Sequence, residues 1–182
     1  MPRIQAVRPA NASPQAADIL TGVKTKMGMI PNIVATMANS PAVANAYLAF
    51  SGALAGGSLA PILREQIALT VGESNQCYYC LSAHSAIGKK VGLTEDDVAQ
   101  ARQGTATNAK HAVALEFVRK LVEQRANVTD EDVERVRDAG FTDGEIGEIV
   151  AAVALNIFTN YFNHVAGPEI DFPVAAQLAT AV

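Results

Sequence analysis

The sequence predicts an all-α fold, and three observations carry that expectation. Helix-start signatures recur along the 182 residues: Ser13-Pro14, Ser40-Pro41, Thr94, Thr129, and Thr142 with Glu145. Apolar residues return with the 3.6-residue period of a helix, most plainly through Val113, Phe117 and Leu121. No segment pairs alternating apolar residues with the turn chemistry of strands, and no fixed-period repeat or low-complexity tract is present. Composition agrees. Of the residues, 49% are hydrophobic but only 5% aromatic, so the apolar content is mainly Ala, Val, Leu and Ile. Such a composition suits closely approaching helices and leaves small-residue faces that pack against other subunits.

The elements follow in order. Ser13-Pro14 opens a short helix that stops before the "KMGMIPN" turn. Ser40-Pro41 opens "PAVANAYLAFSGALA", ended by Gly56-Gly57. Ser58 precedes "LAPILREQIALTVGES", with apolar faces from Ile62, Ile67, Leu69 and Val71 and an end near Ser74-Asn75. A helix from about Gln76 to Lys90 comes next and closes at Gly92; Lys89 and Lys90 complement its C-terminal dipole. Thr94 caps "EDDVAQAR", residues 104–108 are a loop, and "AKHAVALEFVRKLVEQ" is amphipathic. Thr129 caps "DEDVERVRDAG", and Thr142 with Glu145 boxes the start of "DGEIGEIVAAVALNIFTNYFNHVAG". The tail "PEIDFPVAAQLATAV" shows no clear element. A chain of this length makes one compact domain with a substantial core, so a single domain over residues 1–182 is expected.

A net charge of −4, with no basic stripe, argues against nucleic acid as a partner. The first fifteen residues are broken by prolines and polar groups and lack an apolar core segment, so no signal peptide is expected. No apolar run reaches membrane-spanning length without a charge or turn signal, so no membrane partner is expected either. The default is cytoplasmic, where thiols stay reduced and a cysteine pair is more often catalytic or metal-binding than a structural staple.

Both cysteines and one of three histidines fall within "NQCYYCLSAHSAIGKK", residues 75–90. On a helix, Cys77, Cys80 and His84 occupy i, i+3 and i+7 of one face. The cysteine Cα atoms come within disulfide range, His84 can hydrogen-bond the Cys80 sulfur one turn away, and Cys77 sits in the first turn, where free N–H groups favour a thiolate. An ordinary thiol is only roughly 3% ionised at neutral pH, and each unit of pKa depression raises that close to tenfold until it saturates. Zinc held by both cysteines and His84 is the competing reading. Along an ideal helix Cys77 and His84 lie ~10.5 Å apart, too far to reach one ion at roughly 2 Å. Two buried cysteines acting as small hydrophobes are the plain structural alternative. No flavin or haem motif is visible, and no bound cofactor or metal is assigned.

The run "REQIALTVGESNQCYYCLSAHSAIGKKVG" resembles the core of the AhpD-like alkylhydroperoxidase family, within the carboxymuconolactone decarboxylase superfamily. Its pattern is Glu, eleven residues, CxxC, three residues, His; Glu65, Cys77, Cys80 and His84 match it position by position. "GMIPN" near residue 30 and "FNHVAGPEIDFP" near residue 170 look like the peroxidase-related branch, so the likeness spans about residues 25–173, after an N-terminal arm and short helix over 1–24. The resemblance implies an all-helical bundle with its CxxC at the first turn of a central helix, assembled as trimers or hexamers. It implies reduction of hydroperoxides through a dithiol–disulfide cycle in antioxidant defence, regenerated by an external dithiol protein. Cys80 would then be the peroxidatic thiol and Cys77 the resolving one, with His84 and Glu65 in a proton relay; Glu65 could act through a water toward Cys77. The residues alone give no preference for Cys80, since the helix-terminal position favours Cys77.

Some relatives carry a relay histidine between the cysteines where this chain has Tyr79, a phenol whose pKa near 10 makes it a poor shuttle at neutrality. Tyr78 and Tyr79 read equally well as packing or pocket-lining groups. Glu73, four residues before Cys77, reads as a polar turn residue, with a supplementary relay role as the alternative. His111 is expected at the surface and His164 near the site. Two other functions stay open: lactone decarboxylation, which does not need a redox-active CxxC, and a non-enzymatic, redox-responsive oligomeric module.

Overall fold

The structure, a computed structural model, describes residues 1–178; the last four residues of the tail and of the expected domain, 179–182, lie outside it. Every regular element among the described residues is helical. After one 3-10 turn at Pro9–Asn11 come α1 (Pro14–Met27), α2 (Asn32–Met37), α3 (Pro41–Ala55), α4 (Pro61–Ser74), α5 (Tyr78–Lys90), α6 (Glu95–Arg102), α7 (Ala109–Glu123), α8 (Asp130–Asp138) and α9 (Asp143–Ala166). The fold is all-α, as the caps and periods predict.

Local chemistry explains most boundaries. Ser13, Thr94, Thr129 and Thr142 each accept a backbone N–H of their helix's first turn, and the last three form full capping boxes with Asp97, Asp132 and Glu145. Other boundaries differ from the sequence reading. Helix α1 runs three residues past the expected arm, to Met27, ending on Gly28 in the left-handed region at φ 77°. Ser40 makes no side-chain cap bond. Helix α4 starts at Pro61 rather than just after Ser58, where the Glu148 carboxylate on α9 accepts the Ser58 and Leu59 N–H groups and ties down the bend before it. Helix α2 was not expected at all. It is six residues long, too short to show a period, and Pro31 at its N-cap supplies no capping side chain. Its first N–H, that of Asn32, is satisfied instead by Asp171, 2.7 Å away and 139 residues on.

Helix α4 is the centre of the bundle. Eight of its fourteen residues are buried, and α5, α6, α7 and α9 all pack on it. One core cluster gathers Leu63, Ile67, Leu69 and Val71 of α4 with Leu115, Val118, Val136 and Ile149. A second joins α1–α3 to one face of α5, with Leu20, Val34, Met37 and Ala44 against Cys77, Tyr79, Cys80 and Ala83. Helix α5 therefore lies on the seam, giving Leu81 to the first cluster and the cysteines to the second. A Cβ at Gly88 would stand 2.8 Å from Leu93 Cδ1, so the lack of a side chain there makes room for Leu93 to fold back on α5, with Glu65 Cβ of α4 at an ordinary contact distance of 3.7 Å. Helix α9 is long and apolar enough by composition to cross a membrane, but it packs against α3, α4 and α7 with Ile149, Ala152 and Val153 in the core.

Candidate active site at the α4–α5 corner

The site begins with a turn. Helix α4 ends in a Schellman pattern: the Gln76 N–H donates to the Glu73 carbonyl at 2.9 Å and the Cys77 N–H to the Gly72 carbonyl at 2.8 Å. The left-handed position that this requires is filled by Gln76 at φ 53°, where glycine is usual, at a cost of roughly 1–2 kcal/mol. That reversal is why α5 starts at Tyr78 and not at Gln76, and it makes Cys77 the N-cap of α5. Cys80 follows in the first turn. Tyr78 points outward, 53% exposed, and Tyr79 inward.

Both thiols are reduced and buried, at 2% and 3% exposure. Across from them α9 presents a polar face in an otherwise apolar helix: Asn156, Thr159, Asn160 and Asn163, all buried. Asn163 Nδ2 lies 3.2 Å from the Cys80 sulfur and 3.7 Å from that of Cys77, so one amide serves both. Thr159 Oγ1 is 4.0 Å from the Cys80 sulfur. Asn160 is tied to the corner by an Asn75 Nδ2 donor at 2.9 Å, while its own Nδ2 and the Oδ1 of Asn163 are buried without a partner.

The sulfurs titrate as a pair. A hydrogen bond from the Cys80 thiol pulls Cys77 down to about 6, against the opposing effect of burial, and Asn163 and the nearby His164 add to the lowering. Cys80 moves the other way, because its proton is held by Cys77 and because burial disfavours its charge. The first proton lost from the pair thus leaves one negative charge shared across an S–H···S contact.

His84 does not bond the Cys80 sulfur as its i, i+4 spacing allowed. Its Nδ1 lies 2.8 Å from Glu65 Oε2, across the close α4–α5 crossing, with the two side chains 24% and 17% exposed. Glu65 thus meets His84 directly. Burial works against charge on His84, but the charge and hydrogen bond of Glu65, with Cys77 adding, hold its pKa above the usual imidazole value.

Between α5 and helices α1–α3 lies a cavity of about 60 Å³. Cys80, His84 and Tyr47 face it; Cys77 does not. Much of the remaining wall is apolar, from Ile33, Val34, Ile87 and Phe172. Burial, with the charges of Cys80 and Glu65 adding, pushes the Tyr47 phenol up to about 12, so it remains a neutral hydroxyl. The arrangement places a dithiol, a carboxylate–imidazole pair and a largely apolar cavity around one sulfur.

The sequence profile of the carboxymuconolactone decarboxylase family matches residues 41–123. The whole fold is similar to the crystal structure of an uncharacterized peroxidase-related protein with an alkylhydroperoxidase AhpD core from Ralstonia eutropha JMP134, at TM-score 0.85 and 26% identity, covering 93% of this chain and 92% of that one. The chain thus carries a match to the carboxymuconolactone decarboxylase family over residues 41–123 within a fold similar to that of an AhpD-core protein. Two further solved structures of similar fold are an uncharacterized peroxidase-related protein from Silicibacter sp. TM1040, at TM-score 0.80 and 24% identity over 92% of each chain, and the debrominase Bmp8. The debrominase, bearing a Cys-to-Ala substitution and in complex with 2,3,4-tribromopyrrole, aligns at TM-score 0.79 and 21% identity over 93% of this chain and 91% of that one. No curated protein sequence matches significantly.

Glu73 is no loose turn residue and does not reach the cysteines: it accepts from Arg102 Nε at 2.6 Å, pinning α6 to α4. His111 is not a plain surface group; it is half-buried, with Nδ1 2.8 Å from Oε1 of the buried Gln66. His164 lies close to the site as expected, its Nε2 2.8 Å from the Asn75 carbonyl, bracing the corner from α9. Among the described residues no three or more His, Cys, Asp or Glu side chains converge as a metal site needs. Sequence reasoning missed Asn163, Thr159, Tyr47 and the Asp171-Phe172 pair. A signal existed for the first: Asn156, Asn160 and Asn163 recur at i, i+4, i+7 inside an apolar helix, where unpaired amides are costly.

Proposed function

We propose that the protein is a thiol-dependent hydroperoxide reductase working through Cys80 and Cys77. The observation that carries this reading is that Cys80 faces the cavity together with His84, while the Asn163 amide spans its sulfur and that of Cys77 at 3.2 and 3.7 Å. Passing the shared proton to Cys77 leaves a thiolate on the sulfur that faces the substrate, with the Asn163 amide to stabilise it. That thiolate attacks the distal oxygen of ROOH. The O–O bond breaks, Cys80 becomes a sulfenic acid, and His84, charged by its pairing with Glu65, supplies the proton that lets ROH leave. Cys77 then attacks the sulfenic sulfur, closing the 77–80 disulfide and releasing water. An external dithiol protein returns both thiols by exchange and is itself oxidised. The net change is ROOH plus a dithiol to ROH, water and a disulfide.

A second reading is supported by the apolar wall and by the likeness to the debrominase: the same dithiol could reduce an aryl bromide to the arene, with release of bromide and formation of the disulfide. One mass-spectrometric experiment separates the readings. After a single dose of alkyl hydroperoxide the wild type should lose two hydrogens, Cys77→Ser should trap a sulfenic acid on Cys80, and Cys80→Ser should leave the peroxide untouched. An unmodified Cys77→Ser chain would count against Cys80 as the attacking sulfur. Bromide release from a bromopyrrole without peroxide loss would favour the second reading. Decarboxylation of a lactone that survives Cys80→Ser would favour the decarboxylase alternative, and equal peroxide loss by wild type and Cys80→Ser would favour a non-enzymatic role.

A further inference from the structure

The tail after α9 has no regular structure over residues 167–178, yet it is fastened at several points. Asp171 is the main one. Its Oδ1 accepts the Tyr79 hydroxyl at 2.7 Å and its Oδ2 accepts the Asn32 N–H at 2.7 Å. The Tyr79 oxygen in turn accepts the Ile33 N–H at 3.2 Å, and Asn32 Nδ2 donates to the Glu169 carbonyl at 3.0 Å. Farther along, the Ala175 N–H donates to Ser82 Oγ at 3.1 Å and Arg102 Nη1 to the Ala176 carbonyl at 2.6 Å. Between these anchors Phe172 stands edge-on to the Tyr79 ring, with centroids 5.9 Å apart and planes at 86°. It is half-buried: one side meets solvent and the other lines the cavity that holds Cys80 and His84.

Phe172 differs from every other residue of that wall. Each of the others lies in a helix or, in the case of Pro31, directly caps one; Phe172 alone sits on an irregular segment. Its position depends on Asp171 next to it, and so on Tyr79, the residue lodged between the two cysteines. Tyr79 is suited to this, since burial, with Asp171 adding, drives its pKa far above the ordinary phenol value and keeps the hydroxyl a donor. The cavity it closes is small, about 60 Å³.

We propose that Phe172 is the specificity-determining wall of the Cys80 cavity and that Asp171, through Tyr79 and Asn32, is the positioning residue that holds it, so that compact apolar electrophiles reach Cys80 and bulky ones do not. Under the peroxidase reading the favoured substrates are short-chain alkyl hydroperoxides rather than aryl or long-chain ones. The claim concerns access to a sulfur, so efficient turnover of a ring substrate such as a bromopyrrole would count against it.

Alkylation of the reduced full-length chain tests it without turnover. Iodoacetamide and iodoacetanilide carry the same reactive group, one compact and one bearing a phenyl ring. Their rates at Cys80 are read by peptide fragmentation and normalised to free cysteine. The wild type should discriminate against iodoacetanilide. Phe172→Ala, and Tyr79→Phe through loss of the latch, should each raise the iodoacetanilide rate by about tenfold, the scale of one hydrogen bond to a charged group, while iodoacetamide changes less than about twofold. Phe172→Leu, which keeps an apolar side chain, serves should the alanine variant fold poorly by circular dichroism, and should give a smaller gain of the same kind. Equal gains for both reagents, or no gain for the bulky one, overturn the proposal. A peroxide test that failed while this selectivity appeared would overturn only the peroxidase reading.

Discussion

Asn163 contributes one amide to two sulfurs, and the pair's first ionisation depends on it. With Cys77 lowered to about 6, chiefly by the hydrogen bond from Cys80, the thiolate is present above that pH and is lost by protonation below it. Thiolate absorbance should therefore rise with a midpoint near 6, and alkylation of the pair should fall away in more acidic buffer. Asn163→Leu keeps the volume and removes the donor; the midpoint should move up by about one unit, equivalent to about 1.4 kcal/mol. A midpoint unmoved by that substitution would show that the amide does not hold the charge. His84→Gln acts differently: thiolate formation should persist while peroxide reduction slows by roughly 10²–10⁴-fold, the usual contribution of a positioned acid, as measured by stopped-flow. Cys77, Cys80 and His84 stood out because one helical face spaces them, whereas Glu65 entered only through the family resemblance and meets His84 across the α4–α5 contact. Asn163 and Asp171 were not legible, because they reach the cysteine helix from more than eighty residues away and only tertiary packing brings them there.

At the scale of elements, the same division between local and distant determinants holds. Helices α6, α8 and α9 were legible down to their caps, since a Thr and an acidic residue three positions on carry all the information needed. The boundaries that shifted are those set from outside the segment: α2 is capped by Asp171, and the stretch before α4 by Glu148. The corner between α4 and α5 is a third kind of case, where the Schellman hydrogen bonds override the poor fit of a glutamine in the left-handed region. Gln76→Gly should relieve that strain and stabilise the fold by about 0.5–1 kcal/mol, seen as a rise in Tm of roughly 1–4 °C. A lower Tm would mean that the Gln76 side chain makes a contribution larger than the strain. In the opposite sense, Thr142→Ala removes a cap from the longest helix and should cost about 1 kcal/mol by urea denaturation, leaving the thiol midpoint in place.

For the molecule as a whole, the two helices with the most apolar exteriors lie side by side. Helix α3 is built almost wholly of Ala, Val, Leu, Tyr and Phe, yet Ala44 is its only buried residue. Its exposed positions include Ala42, Ala46, Ala49, Phe50 and Ala53, a small-residue face of the kind the composition suggested. On α9, which packs against it, Val150, Ala154, Phe158, Tyr161 and Val165 are exposed at i, i+4, i+8, i+11 and i+15, a single uncharged stripe. The buried Asn163 and Thr159 project from the opposite side of that helix toward the cysteines. Adjoining apolar stripes of this extent are uncommon on a monomer's surface, and small residues allow close approach of a second backbone. A second copy of the chain is the expected cover, with the stripe on α9 as part of the contact. Light scattering at micromolar concentration should then give a multiple of 19.1 kDa, and Phe158→Lys with Val165→Lys should reduce it to the single-chain mass with helicity unchanged. Because the same helix carries the amide that supports the thiolate, the dissociated variant should also show a displaced thiol midpoint. A wild-type chain that scatters as a monomer would rule out this assembly and leave the stripe without a role.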